Sequence, residues 1–83
     1  METKKKDDRK LLGSQIEDRI LEYIKEKPLE VGDRLPNEFE LAEMFEVGRS
    51  TIREAVKGLV TKGVLQVRRG AGTYVSSLTP AED

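Results

Sequence analysis

The stretch from Val47 to Val60, Val-Gly-Arg-Ser-Thr-Ile-Arg-Glu-Ala-Val-Lys-Gly-Leu-Val, leaves this chain few choices of fold. Ile52, Val56, Leu59 and Val60 recur at helical spacing and predict one buried face, while Arg49, Arg53 and Lys57 step along beside them at i, i+4 and i+8. Ser50 and Thr51 stand in the first turn next to Arg49, so hydroxyls, guanidinium groups and unpaired helix N–H groups converge on one spot. That chemistry suits phosphate oxygens and base edges. An amphipathic helix of this kind needs a cover for its apolar stripe, and the rest of the chain reads as that support.

With 83 residues there is room for one modest core. Residues 1–10 are almost wholly polar or charged and lack an apolar period, which predicts a disordered arm. From Ser14 to Lys27, Ile16, Ile20, Leu21 and Ile24 repeat at three to four, with Glu17, Asp18, Glu22 and Glu26 turned outward. Ser14 and Glu17 form a capping-box signature for this first helix, and Pro28 forbids its continuation. Tyr23 is placed at the rim of the core. Gly32-Asp33 signals a turn, and Arg34-Leu35, ahead of Pro36, should be extended. Asn37 with Glu40 caps a second helix whose inner face is Leu41, Ala42 and Phe45; Met44 is also expected in the core, and Phe39 falls off that face. Val47 plugs the turn after Glu46, and Gly48 is the N-cap of the third helix, which should close at Lys62-Gly63. Val64 to Arg69 and Thr73 to Ser77, joined by Gly70-Ala71-Gly72, read as a hairpin. The expected domain therefore covers residues 11–77, with 78–83 opening a linker to an effector domain outside this stretch.

Composition narrows the chemistry. There is no cysteine and no histidine, which removes the commonest nucleophile, general base and metal ligands together. An enzyme, a metal site and a cofactor are not expected, and a small hydrolase is left without a convincing pair of carboxylates. No apolar run approaches the ~18 residues of a membrane span and no signal peptide opens the chain, so a cytoplasmic protein is expected. The net charge of -1 conceals two halves. Residues 47–75 hold six basic groups against one acid, whereas residues 11–46 hold four basic against ten acidic. A polyanion would be drawn to the C-terminal half and repelled by its support.

Two helices joined by a tight turn, the second with a basic, hydroxyl-bearing start, have the layout of a helix-turn-helix, and the hairpin adds a wing. The predicted fold class is thus α+β: three helices with a C-terminal β-hairpin wing. Arginine can hold guanine through O6 and N7, which makes Arg49 and Arg53 the candidate base readers. Ser50, Thr51 and Lys57 lie where phosphate contacts would set the register. Gly70 and Gly72 keep the hairpin tip slim enough for backbone and Arg69 to enter a minor groove. The rival reading is a winged helix used as a protein–protein module, with the third helix on a partner.

From about Ile20 to Val75 the chain resembles the N-terminal DNA-binding domain of the GntR family of bacterial transcription regulators. The resemblance rests on Gly32-Asp33-Arg34-Leu35-Pro36-Asn37-Glu38, Glu40-Leu41-Ala42, Val47 to Ala55, Gly63-Val64-Leu65 and Arg69-Gly70-Ala71-Gly72-Thr73-Tyr74-Val75. It implies a homodimeric regulator bound to a palindromic double-stranded operator through the second and third helices and the wing tip, with a C-terminal domain sensing a small molecule. Ile52-Arg53-Glu54-Ala55 and the Arg68 to Thr73 run look most similar to the FadR-type branch, whose effector domain is helical. Two positions depart from the family pattern: Phe39 stands where arginine is usual, and Gly48 where serine or threonine usually caps the third helix.

Overall fold

The structure is a computed structural model that describes residues 4–80, with side chains from Leu12 onward. Its elements follow the expected order: α1 (Lys4–Glu26), α2 (Glu38–Phe45), α3 (Arg49–Thr61), β1 (Leu65–Arg68) and β2 (Gly72–Val75). The start of α1 is a correction. The backbone is already helical at Lys4 and continues through Gly13 and Ser14, so Ser14 has no helix end to cap. Of the arm expected over residues 1–10, residues 1–3 lie outside the described residues and the remainder forms the first turns of α1. The lysines and arginine of that stretch, with Leu11 and Leu12 after it, favour helix, and Gly13 costs only about 1 kcal/mol. The helix stops just before Pro28, as expected.

Ile16, Ile20 and Ile24 bury the inner stripe of α1, against Leu41, Ala42 and Phe45 of α2 and Ile52, Ala55 and Leu59 of α3. Tyr23 lies partly buried at the rim. Two expected core positions are overturned: Val60 is 39% exposed and Met44 is 44% exposed. At roughly 100° per residue, Ile52, Ala55 and Leu59 share a narrow arc, and Val60 falls about 80° outside it. Leu59 takes the middle of that arc, with Ile52 and Ala55 on either side, and Val56 packs beyond Ile52 at the edge of the core.

Asn37 closes the predicted capping box in both directions: the Glu40 N–H donates to Asn37 Oδ1 at 2.8 Å, and the Asn37 N–H donates to Glu40 Oε1 at 2.9 Å. Glu46 ends α2 in the left-handed region at φ 58°, Val47 tucks against the core, and α3 starts one residue later behind Gly48. Gly63, at φ 81°, turns the chain out of α3 into the hairpin. The strands pair antiparallel in the register Leu65↔Val75, Gln66↔Tyr74, Val67↔Thr73 and Arg68↔Gly72. The extended segment expected at Arg34-Leu35 lies along the free edge of β2 and meets it through a single bridge. Arg34 bridges Tyr74, the Leu35 N–H donates to Thr73 O at 2.8 Å, and the Val75 N–H donates to Asp33 O at 2.8 Å.

Candidate nucleic-acid interface

The site begins with the arc of α3 that faces away from its buried stripe. Because Ile52, Ala55 and Leu59 are pinned inward, Arg49, Ser50, Arg53 and Lys57 are all turned to solvent. The Gly48 cap, at φ −73° and ψ 158°, supplies no side-chain hydrogen bond, so the first N–H groups of α3 gain no ligand from it. Those N–H groups and the positive end of the helix dipole stand at the same end of α3 as Arg49 and Ser50. Thr51 is the half-buried member of the expected set and lies about 160° around the helix from Arg53. Four of the five α3 candidates are thus brought together, and Thr51 sits on the opposite flank.

Arg53 is held in place by a residue that sequence reasoning passed over. Its Nε and Nη2 both donate to Glu38 Oε2 at the start of α2, at 2.9 and 2.6 Å. A guanidinium gripped along this side keeps its Nη1 edge for another acceptor. Glu38 is also 37% exposed and Arg53 62% exposed, so the pair is worth little to stability and more as a positioning device. Fifteen residues separate them, and only the docking of α2 on α3 brings them together.

The wing completes the surface. Ala71 N–H donates to Arg68 O at 2.9 Å, closing a tight tip of Arg69, Gly70 and Ala71, with Gly70 at φ 75°. Arg69 and Gly70 are exposed there. Arg68 is stacked on the Tyr74 ring, 4.4 Å from guanidinium carbon to centroid. Arg34 lies beyond the other edge of β2, its guanidinium over Gly72. Phe39, 55% exposed on α2, lies off the core face as expected.

Lys62, the C-cap residue of α3, turns toward α1. Its Nζ donates to Glu17 Oε1 on α1 at 2.7 Å, and that hydrogen bond and charge raise its pKa above the usual lysine value. It fastens α3 to α1 and takes no part in the outward arc. Among the described residues no group of acidic side chains is arranged to hold a metal ion, and no helix is long and apolar enough to cross a membrane.

The sequence model of the bacterial regulatory proteins of the gntR family matches residues 12–75. The chain is 47% identical over 64 residues to the Uxu operon transcriptional regulator of Escherichia coli (strain K12), covering 77% of this chain and 23% of that protein. It spans about a quarter of the length of the curated relatives it matches. Among solved structures, Streptococcus agalactiae GntR superposes with a TM-score of 0.75 at 57% identity, over 78% of this chain and 32% of that one. The DNA-binding domain of AraR, solved in complex with operator ORX1, superposes with a TM-score of 0.71 at 34% identity, over 77% of each chain.

Proposed function

This chain belongs to the GntR family of bacterial regulatory proteins and has the winged-helix fold of their DNA-binding domains, and from that premise we propose that it reads one half-site of a palindromic operator. Arg49 and Arg53 take base edges in the major groove, Ser50 and Lys57 take phosphates beside them, Thr51 takes one from the opposite flank of α3, and Arg69 with Gly70 enters the neighbouring minor groove. The observation that carries this reading is the outward arc of α3, where Arg49, Ser50, Arg53 and Lys57 are exposed together beside the helix N-terminus. The operator complexes of the similar AraR domain support it. A protein–protein role for the same arc is disfavoured by its concentration of cations.

We further propose that the domain acts within a homodimeric, metabolite-responsive transcription regulator of the FadR-type branch. A C-terminal effector domain would bind the small molecule and join two half-site readers. Family and relatives are regulators of transcription, and no catalytic role is proposed.

Selection of bound duplexes from a random pool, followed by titration of the enriched sequence and a scrambled control, tests the half-site reading. Enrichment of one short motif, bound with strong salt dependence and lost on Arg49→Ala, is the expected result. Recovery of no motif, or binding that salt does not weaken, overturns it.

A further inference from the structure

Arg34 belongs to the acidic half of the sequence, yet the fold delivers it to the basic wing. The bridge to Tyr74 places its backbone alongside β2, on the edge away from β1. From there the side chain runs toward the tip: a Cβ on Gly72 would stand 2.7 Å from Arg34 Nε and 3.3 Å from its Nη2. Glycine at 72 is what lets the guanidinium lie across the strand at this point. On the same face Arg68 is opposite Gly72 in the register and rests on the Tyr74 ring. The Tyr74 hydroxyl donates in turn to Ala71 O at 3.4 Å, tying the ring to the tip. Leu65 and Val75 use the other face for the core, so this one is open to solvent.

Arg34 and Arg68 are both exposed, and neither has a carboxylate within ion-pair distance among the described residues. The two guanidinium groups flank the outer face of β2, one from each edge, and an anion lying between or before them would offset the repulsion of their like charges. The strand bridge fixes the Arg34 backbone and the aromatic ring restrains the Arg68 side chain, so less freedom is lost at Arg68 on binding. Planar guanidinium groups suit phosphate oxygens better than any other abundant anion of a DNA-binding surface.

We propose that Arg34 and Arg68 form a phosphate seat on the outer face of the wing, gripping the DNA backbone beside the groove that the Arg69-Gly70 tip enters. This rests on the half-site reading above and adds a contact from a segment that precedes the helix-turn-helix. The seat positions the wing and carries no base preference.

The test is the salt dependence of binding by the 83-residue chain, measured on the selected duplex and on a scrambled one. Arg34→Gln keeps most of the packing over Gly72 and removes the charge; Arg34→Lys keeps the charge. Arg34→Gln should weaken binding to both duplexes by the same factor and lower the slope of log K against log[salt] by about 0.9. Arg34→Lys should retain the wild-type slope, and Arg68→Gln should repeat the loss. Thermal melts of all three variants are expected to match the wild type. An unchanged slope for Arg34→Gln, or a loss confined to the selected duplex, overturns the phosphate seat while leaving the half-site reading intact. A wild-type chain that binds neither duplex at low salt removes that reading, and the seat with it.

Discussion

At the residue scale, the distinction that matters is between side chains that read and side chains that place. Arg53 is oriented by two hydrogen bonds to one oxygen of Glu38, and its remaining edge matches guanine O6 and N7. Arg53→Ala should cost about 1–3 kcal/mol on the selected site and little on scrambled DNA. Lys57→Ala should weaken both alike, and equal losses for Arg53→Ala in titrations at fixed salt would make Arg53 a phosphate contact instead. Glu38→Gln should blunt discrimination while raising affinity for scrambled DNA, because a negative charge leaves the surface and Arg53 loses its brace. Phe39 is exposed where the family pattern has arginine. Phe39→Arg should tighten binding and steepen its salt dependence by about one phosphate's worth. Weaker specific binding by that variant would show that the aromatic ring itself touches the site.

Elements are joined here by short turns whose chemistry is not optimal for stability, which makes the turn between α2 and α3 a sharp test of the local argument. Glu46 holds a left-handed conformation at φ 58° that costs a residue with a Cβ about 1 kcal/mol. Asparagine tolerates it better. Gly48 has ordinary extended angles and open space where a Cβ would go. Glu46→Asn with Gly48→Ser should therefore raise stability by roughly 0.5–1 kcal/mol, read as a higher urea midpoint at unchanged m. A lower midpoint would mean that the turn depends on something other than its backbone angles.

The α1–α3 contact offers a second element-scale test. A Cβ on Gly58 would overlap the Glu17 carboxylate, which also accepts from Lys62. Gly58→Ala gains about 1 kcal/mol of helix propensity but pushes Glu17 aside. Alone it should be near neutral, and in a Glu17→Ala background it should stabilise by about that propensity term. Additivity of the two changes in a double-mutant cycle would argue against the close approach. Because Glu17 raises the Lys62 pKa, the pair's contribution is fully present below the usual lysine pKa and is lost as pH rises through the raised one.

At the scale of the whole molecule, one domain presents one basic surface on an acidic support. Three packed helices, with α2 closed by its capping box and α3 stopped by glycine, share one core with a two-stranded wing, so the chain is expected to fold alone. Binding should be weak and strongly salt-dependent, since a single domain covers one half-site and the ten acids of residues 11–46 oppose it. Fusing an unrelated dimerisation domain after Ser77 through a flexible linker should recover ~100-fold or more on the full operator by effective concentration alone. Sedimentation and titration of both proteins decide the point. An unfused chain that is already a stable dimer, or that binds the full site as tightly as the fusion, would falsify the proposal.

The features legible in the sequence are those governed by neighbours a turn or less away. The Asn37–Glu40 box, the stop before Pro28, Gly63 after α3 and the hairpin around Gly70 depend on local backbone angles and local hydrogen bonds. Amphipathic period likewise turned Arg49, Ser50, Arg53 and Lys57 outward. Where local signals compete they mislead, as at Ser14, whose capping pattern lies inside a longer helix. Met44 and Val60 are apolar yet exposed, because apolar character alone does not separate core from the apolar residues common on surfaces. Tertiary structure alone decided that Glu38 braces Arg53, that Glu17 fastens Lys62, and that Arg34 lies over Gly72. Those partners stand 15 and 45 positions apart in the first two cases. Periodicity specifies which face a side chain occupies within its own element, whereas its distant partner is set by the angle and register at which packed elements meet over the core.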